Sequence, residues 1–274
     1  QQVREGLAKE SAAVLAKTGM KPGLATILVG DDPASHLYVK SKQKACDAAG
    51  IYIDDSKLPA STTQAELLAL IAQKNADPKI HGILVQLPLP KHIDSKVVLD
   101  AVSAQKDADG FHPYNFGRLV EGSPIFEACT PKGVIKMIES TGVSIEGKRA
   151  VVLGRSNIVG KPLALMLLHR NATVTICHSK TKDLPAVCRE ADLLLVAIGK
   201  AKFVTADMVR DGAVVIDVGT NRLPDGKVVG DVDFESVSQK AGWISPVPGG
   251  VGPMTIAMLL DNTVESAKRM AGMK

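Results

Sequence analysis

The chain has 274 residues, of which 45% are hydrophobic, 23% charged and 3% aromatic, and its formal net charge is +4. This length allows one large α/β domain or two ordinary ones, with a core of aliphatic side chains. The mild positive charge is spread along the chain, with no basic run interleaved with aromatic residues, and no apolar run approaches the ~18 residues of a membrane span. We therefore expect partners other than nucleic acid or membrane.

The four cysteines show neither a C-x-x-C pair nor a zinc-like spacing with histidine. We expect Cys46, Cys129, Cys177 and Cys188 to be reduced core thiols, and we expect no metal site. Nothing at the N-terminus resembles a signal peptide, which favours a cytoplasmic location. Because the chain opens on Gln1 inside a predicted helix, we expect its first few residues to have been lost, and an organelle address could have been lost with them.

Apolar patterning in the first half predicts helices that alternate with strands. The predicted elements are a helix over 2–18, a strand over 24–29, a turn at Asp31, Asp32 and Pro33, a helix over 35–49, a short strand at 51–53, a helix from Thr62 or Thr63 to about Asn75, and a strand over 83–85 that Pro88-Leu89-Pro90 stops. Such alternation indicates a parallel, doubly wound sheet.

The alternation resumes near Thr130 and predicts a Rossmann-like unit with short connections. Helices are predicted over 131–140, 160–169, 182–190 and 205–211, strands over 150–153, 173–177, 193–198 and 213–218, a complete break of structure over 246–253, and a final amphipathic helix over 255–270. We therefore predict two α/β domains around a cleft. The first covers 1–130, with the C-terminal helix 255–274 packing back on it, and the second covers 131–254.

The pattern of residues 149–162 predicts a strand, a glycine-bounded turn from Gly154 to Gly160, and a helix. This order brings backbone N–H groups and a helix N-terminus to a place where an anion can bind. The spacing is Gly-x5-Gly rather than the usual G-x-G-x-x-G, so an ordinary βα turn is the alternative.

The strand that follows this turn favours NADP over NAD. In an NAD-binding unit an acidic residue usually ends the second strand and holds the ribose hydroxyls. Here that strand ends Cys177-His178-Ser179-Lys180 without a carboxylate, and Arg155 lies in the turn. Arg155, Ser179 and Lys180 could bind the extra phosphate that distinguishes NADP from NAD. The alternative is that Lys180 and Lys182 only begin a solvated helix.

One helix of the first half could carry proton chemistry. Tyr38 and Lys42 are four residues apart, so their side chains face the same way. A lysine in a pocket beside a phenol can have a lowered pKa and act as a general base or acid near neutrality. An exposed helix lysine is the alternative, and Lys40 and Lys44 are equally good candidates by composition.

Two polar residues follow predicted strands or turns. Gln86 comes just past the strand 83–85, where α/β folds place ligands, and it could bind a ligand or satisfy loop backbone. Asp109 could accept hydrogen bonds from an amidine-like edge with both carboxylate oxygens, although the dipeptide Asp-Gly is also common in ordinary turns.

Five motifs together resemble the bifunctional methylenetetrahydrofolate dehydrogenase/cyclohydrolase family. They are Tyr38-Val-x-x-Lys42, Gly82-Ile-Leu-Val-Gln86-Leu-Pro-Leu-Pro90, Lys106-Asp-x-Asp109-Gly110-Phe, Gly154-Arg-Ser-x-Ile-Val-Gly160-x-Pro162 and Pro248-Gly-Gly-Val-Gly-Pro253-Met-Thr255. The resemblance runs from about residue 2 to the end, in the family's order. Two departures are visible: the family's usual first strand is absent, and Ala108 replaces the common Val beside Asp109.

The resemblance implies oxidation of 5,10-methylenetetrahydrofolate with NADP and hydrolysis of the methenyl product to 10-formyltetrahydrofolate. It implies Lys42, Tyr38, Gln86 and Asp109 as catalytic and substrate-binding residues, Pro248, Gly249 and Gly250 as further substrate-binding residues that line the cleft, and Gly154, Arg155, Ser156, Ser179 and Thr220 as NADP-binding residues. It further implies a homodimer that serves one-carbon metabolism and purine biosynthesis.

Two other functions fit the same pattern of elements. An NAD(P)-dependent amino-acid or hydroxy-acid dehydrogenase is also a two-domain α/β protein. Such an enzyme would require a catalytic pair, and Lys42 with Asp109 could supply one. A nucleotide-sensing protein without catalysis would make the joint presence of Tyr38, Lys42 and Gln86 a coincidence.

Overall fold

The computed structural model of the protein describes the backbone of residues 2–30 and 33–273, and the side chains in these ranges except those of Gln2, Arg4 and residues 33–40. The predicted turn residues Asp31 and Asp32 lie outside the described residues. The chain divides into two compact units, one formed by Gln1–Cys129 with Ile256–Lys274 and the other by Thr130–Thr255.

Helices and strands alternate in both units. The first unit contains α1 (Gln2–Thr18), β1 (Gly23–Val29), α2 (Pro33–Ala49), β2 (Tyr52–Leu58), α3 (Gln64–Ala76), β3 (Gly82–Val85), α4 (Ser95–Ala101) and α5 (Pro113–Val120). There follow α6 (Cys129–Ser140), β4 (Arg149–Leu153), α7 (Gly160–Leu168), β5 (Thr173–Cys177), α8 (Leu184–Arg189), β6 (Leu193–Val196), β7 (Val214–Asp217), β8 (Asn221–Arg222), β9 (Val228–Val229), α9 (Phe234–Val237), β10 (Trp243–Ile244) and α10 (Val251–Met270).

The first unit is organised around a parallel sheet whose strand order, within the described residues, is β2-β1-β3. Every residue of β1 and β3 is buried, as expected for parallel strands covered on both faces. A further segment runs alongside β3, because Ile83 forms a parallel bridge with Asp107 and its N–H donates to the Lys106 carbonyl at 2.7 Å. Gln86 and Asp109 therefore follow neighbouring segments at the same edge.

The second unit is organised around a parallel sheet in the order β10-β7-β6-β4-β5, again within the described residues. Its interior strands are apolar and buried, and α7 buries Leu163, Met166 and Leu167. Because the strands are parallel, the segments that follow β4, β5, β6 and β7 all leave from the same edge of the sheet. That edge is the usual ligand-binding edge of an α/β fold.

The predicted fold class, an α/β protein of two domains with parallel sheets, is confirmed. The predicted helix that Thr62 or Thr63 would cap begins after Thr63. The Thr63 hydroxyl accepts from the Glu66 N–H, and the Glu66 carboxylate accepts from the Thr63 N–H. This reciprocal pair satisfies two N–H groups that have no partner inside the helix. All four cysteines are buried thiols, as expected.

Three sequence-based predictions of elements were wrong. Residues 251–253 begin α10 rather than breaking structure, since the first turn of a helix leaves its N–H groups without intrahelical partners and so tolerates Pro253. The predicted helix over 205–211 is only a 3-10 turn at Ala206–Met208. The short strand predicted at 51–53 extends to Leu58, because it pairs with all of β1.

The short elements α4, α5, β8, β9, α9 and β10 were not predicted. None of the helices in the described ranges combines the length and apolar character that crossing a membrane requires.

Candidate active site and cofactor turn

Lys42 lies near the middle of α2 and is buried, with 8% of its surface exposed. Its Nζ donates to Gln86 Oε1 at 2.8 Å, and Gln86 Nε2 donates to the Leu87 carbonyl at 2.8 Å. The backbone contact fixes the orientation of the amide, so that its oxygen faces the lysine. Gln86 thus meets Lys42 although 44 residues separate them.

Tyr38 belongs to the same helix, but its side chain lies outside the described part of the structure. The predicted pairing of Tyr38 with Lys42 therefore stays a prediction. Lys44, which composition made an equal candidate, is exposed.

Burial governs the charge of both Lys42 and Asp109. It lowers the pKa of the Lys42 ammonium, against the opposing effects of Asp109, Cys129 and Cys46. It raises the pKa of the Asp109 carboxyl to about 7, although the nearby Lys42 acts in the opposite direction. The Asp109 carboxyl can therefore exchange a proton in a neutral solution, and the pKa of Lys42 is shifted in the direction that favours such exchange.

The two aspartates of the segment 106–110 have different roles. Asp107 accepts from the N–H groups of Phe111 and His112 and from Asn115 Nδ2, so its carboxylate stabilises the start of α5. Asp109 is half-buried, and it is the carboxyl group whose charge is coupled to that of Lys42. The predicted role of Asp109 in binding substrate stays a prediction.

Asn262, on α10, contacts the same segment and was missed by sequence reasoning. Its Nδ2 donates to the carbonyls of Ala108 at 2.9 Å and Glu127 at 3.0 Å, and Cys129 Sγ also donates to the Ala108 carbonyl. These bonds hold the backbone next to Asp109. A polar residue among the apolar positions of the final helix is the signal that could have identified it.

The glycine turn after β4 is a close-packed backbone feature of the second unit. A Cβ at Gly154 would lie 2.2 Å from the Ala197 carbonyl oxygen, and one at Gly160 would lie 2.2 Å from the Gly154 carbonyl oxygen. Gly154 also has φ +128°, which side chains disfavour. Both ends of the turn therefore require glycine, and α7 begins at Gly160 with its N–H groups facing the turn.

The predicted NADP-binding side chains Arg155 and Ser179 are exposed and lie at one edge of the sheet. Leu153 is in register with Cys177, and the Gly154 N–H donates to the Cys177 carbonyl at 2.9 Å, so the loops after β4 and β5 run side by side. No carboxylate lies between Cys177 and Lys182. These groups fit an anionic phosphate better than a pair of ribose hydroxyls.

Ser156 has a structural contact in addition to its predicted role. Its Oγ accepts from the N–H groups of Val159 and Gly160 at 3.1 and 3.3 Å, which closes the turn. The hydroxyl hydrogen can still be donated outward.

Thr220 is exposed and follows β7, at the same edge of the sheet as the glycine turn. Pro248 and Gly249 are also exposed and precede α10, whereas Gly250 is buried, and a Cβ on it would lie 2.5 Å from the Pro246 carbonyl oxygen. Each of these residues belongs to the second unit, whereas Lys42, Gln86 and Asp109 belong to the first.

Within the ranges that the structure describes, no group of three or more His, Cys, Asp or Glu side chains is arranged to hold a metal ion. The first unit offers proton transfer by a buried lysine and a carboxyl group. The second offers a glycine turn with cationic and hydroxyl groups, the arrangement that a dinucleotide phosphate requires.

Family comparisons cover nearly the whole chain. The family model described as tetrahydrofolate dehydrogenase/cyclohydrolase, catalytic domain, matches residues 1–109, and that described as tetrahydrofolate dehydrogenase/cyclohydrolase, NAD(P)-binding domain, matches residues 128–271. The bifunctional protein FolD of Moorella thermoacetica is 62% identical over 261 residues, which are 95% of this chain and 93% of the relative. That of Burkholderia cenocepacia is 59% identical over 266 residues, 97% of this chain and 93% of the relative.

Solved structures agree with these relatives. The bifunctional enzyme FolD of Campylobacter jejuni is 53% identical with a TM-score of 0.95, over 98% of this chain and 95% of that chain. The Trypanosoma brucei enzyme, solved with NADP cofactor and an inhibitor, is 40% identical with a TM-score of 0.93, over 98% of this chain and 94% of that chain. The comparisons do not favour the amino-acid or hydroxy-acid dehydrogenase alternative.

Proposed function

Since this chain belongs to the tetrahydrofolate dehydrogenase/cyclohydrolase family, we propose how its own residues divide the two reactions of a bifunctional enzyme. The protein is an NADP-dependent methylenetetrahydrofolate dehydrogenase and methenyltetrahydrofolate cyclohydrolase. It oxidises 5,10-methylenetetrahydrofolate to the 5,10-methenyl form and hydrolyses that product to 10-formyltetrahydrofolate. The observation that carries our assignment of residues is the 2.8 Å contact between Lys42 Nζ and Gln86 Oε1.

The first reaction needs no protein base. The lone pair of a folate nitrogen can expel the hydride from the methylene bridge, and bound NADP supplies the acceptor for it. The residues of the chain therefore have to bind the folate and NADP and to orient the methylene carbon towards the cofactor. We assign NADP binding to Gly154, Arg155, Ser156, Ser179 and Thr220. The close-packed glycines, the exposed Arg155 and the absence of a carboxylate after β5 support this assignment.

The second reaction needs proton transfers, because water must lose a proton as it adds to the methenyl carbon and the folate nitrogen must gain one as the ring opens. We assign these transfers to Lys42. Its lowered pKa makes the neutral amine, the form that can accept a proton, easier to reach than in an exposed lysine. Gln86 Oε1 can only accept, so it engages one N–H of Lys42 and leaves the amine lone pair aimed elsewhere. Tyr38 acts beside Lys42.

Asp109 binds the aminopyrimidine edge of the pterin, whose two parallel N–H groups match the two oxygens of a carboxylate. Support comes from the pKa of the Asp109 carboxyl, which burial raises, because hydrogen-bond donors would stabilise the charge of such a buried group. Such donors would come from the substrate. We place Pro248, Gly249 and Gly250 among the substrate-binding residues on the family resemblance.

By the same resemblance, residues 1–130 with 255–274 form the folate-binding catalytic domain, and residues 131–254 form the NADP-binding domain. The compact units Gln1–Cys129 with Ile256–Lys274 and Thr130–Thr255 support this division of the chain, although the NAD(P)-binding family model extends over the final helix to residue 271. The enzyme acts as a cytoplasmic homodimer and supplies one-carbon units for purine biosynthesis.

A paired assay on the purified chain tests the function. With methylenetetrahydrofolate, we expect NADPH to accumulate with NADP, and NADH to accumulate much more slowly with NAD. With methenyltetrahydrofolate and no cofactor, we expect hydrolysis faster than in buffer alone. Reduction of NADP without accelerated hydrolysis would contradict the role of Lys42 and Gln86, and equal rates with NAD and NADP would contradict that of Arg155 and Ser179.

A further inference from the structure

The second unit contains two buried carboxylates that none of the roles above uses. Asp217, at the end of β7, is 3% exposed, and Asp231, in the loop after β9, is 0% exposed. Burying a carboxylate is costly unless hydrogen bonds compensate for the water it loses. The donors that surround each carboxylate therefore indicate which backbone segments it holds.

The Asp231 carboxylate binds the backbone of the loop that follows β6. Its oxygens accept from the N–H groups of Ile198, Gly199 and Lys200 at 2.7, 2.9 and 2.8 Å, and from Asn221 Nδ2 at 2.8 Å. A carboxylate has about four acceptor positions, and these four donors fill them. Three successive N–H groups that converge on one anion form a backbone nest, here occupied by the protein's own side chain.

This nest is linked to the glycine turn through one peptide group. The Ile198 N–H points at Asp231, and in a trans peptide the Ala197 carbonyl then points the opposite way. The Ala197 carbonyl oxygen is the atom that leaves no room for a Cβ on Gly154, at 2.2 Å. The peptide between Ala197 and Ile198 is therefore held between Asp231 on one side and Gly154 on the other.

Asp217 holds Asp231 and the segment before Thr220. Its oxygens accept from the N–H groups of Gly219, Asp231 and Val232 at 2.9, 3.0 and 2.8 Å. Gly219 also packs directly on the second carboxylate, since a Cβ there would lie 2.2 Å from Asp231 Cγ. The backbone position of Gly219, and so of Thr220 after it, depends on both aspartates.

We propose that Asp231 is a positioning residue for NADP and that Asp217 holds Asp231 in place. Asp231 fixes the backbone of the loop 198–200 and of the segment 219–221 in the conformation that binds the cofactor. Both segments follow the carboxyl ends of parallel strands, β6 and β7, beside the glycine turn after β4. Asp231 acts through backbone rather than by touching the cofactor. The inference rests on the proposed function, since NADP is the ligand that is positioned.

The variant Asp231→Asn tests this proposal, because its NH₂ group cannot accept from the N–H groups that now face an oxygen. We expect the Kd of NADP, measured by calorimetry, to rise at least about tenfold. The KM for NADP should rise by a similar factor, while kcat at saturating NADP changes less than about threefold. Hydrolysis of methenyltetrahydrofolate uses no NADP and should stay within about twofold of the parent rate.

The matched control is Asp211→Asn, which changes an exposed aspartate just before the other end of β7 and should leave all four quantities unchanged. An unchanged Kd in Asp231→Asn, or an equal loss of hydrolysis and NADP binding, would overturn the inference. Should that variant fail to fold, Asn221→Ala removes one of the four donors and should weaken NADP binding about threefold with hydrolysis intact; an unchanged Kd there would also overturn it. A parent enzyme that binds no NADP would instead contradict the proposed function.

Discussion

Lys42 shows how the environment of a single residue selects it for chemistry among neighbours of the same type. Lys42 and Lys44 stand on one helix, but Lys42 is buried against Gln86 and Lys44 is exposed. Burial lowers the pKa of the Lys42 ammonium and so favours the neutral amine, which can take up a proton. Burial, rather than the presence of a lysine, therefore supports the role in hydrolysis that we propose for this position.

The variant Lys42→Met should abolish cyclohydrolase activity, with a loss of at least about 100-fold, because methionine fills similar space but cannot transfer a proton. NADP binding should stay within about twofold of the parent, and folate binding should remain measurable. Lys44→Met is the control on the same helix and should retain both activities. Normal methenyl hydrolysis by Lys42→Met would remove Lys42 from the mechanism.

Which of these residues could be predicted depends on how local their partners are. Gln86 could be placed at a strand end from its own surroundings in the sequence, but its contact with Lys42 crosses 44 residues and depends on how α2 packs against the sheet. No sequence pattern identified Asp231 as a functional residue. Its partners are backbone N–H groups of a distant loop, and almost any residue type can supply those.

At the scale of elements, α10 stabilises the segment that carries Asp109. Asn262 is 1% exposed and joins the carbonyls of Ala108 and Glu127, and Ser266 Oγ donates to the Gln105 carbonyl one turn later. A close fit adds to these bonds, since a Cβ on Gly82 would lie 2.7 Å from Thr263 Oγ1 and 3.0 Å from Ala108 Cβ. The small Ala108 is thus closely packed against Gly82.

The variant Asn262→Ala should weaken folate binding while leaving the cofactor turn intact. It removes the amide donor to two carbonyls, at a cost of about 2 kcal/mol in unfolding free energy, and releases the backbone next to Asp109. We expect the KM for methenyltetrahydrofolate to rise about fivefold or more, with the Kd of NADP unchanged. Met270→Ala, at an exposed position on the same helix, is the control. A variant that loses stability but keeps the parent KM would show that Asn262 is purely structural.

Long elements could be predicted from the sequence and short ones could not, for a physical reason. The buried strands β1 and β4 are runs of mostly apolar residues whose length alone identifies them. The pair β8 and β9 has only two residues each, so no periodicity exists to detect, and its pairing depends on the turn between them. The start of α10 was missed because Gly and Pro signal a break in general but are tolerated in a first turn.

At the scale of the whole molecule, stability and pH are connected through the buried carboxylates of the second unit. Asp217 donates its N–H to Ser245 Oγ and accepts three further bonds, yet burial raises the pKa of its carboxyl from 3.8 to about 6. The neighbouring Asp231 contributes to the same rise. Because the folded state binds this proton more tightly than the unfolded state, the protonated form of Asp217 favours folding.

This linkage predicts a specific difference between the parent and Asp217→Asn. The contribution of Asp217 is present in full below about pH 4 and is lost as the pH rises through about 6, and a pKa difference of this size corresponds to about 3 kcal/mol. Between pH 4 and 7, the unfolding free energy of the parent should therefore fall relative to that of the variant. Groups remote from Asp217 contribute equally in both proteins, and the constant cost of the substitution cancels in the slope. The chain's single tryptophan, Trp243, lies on β10 beside β7, so its fluorescence in urea reports unfolding of this unit. Parallel pH profiles for the two proteins would mean that Asp217 has the same pKa in the folded and unfolded states.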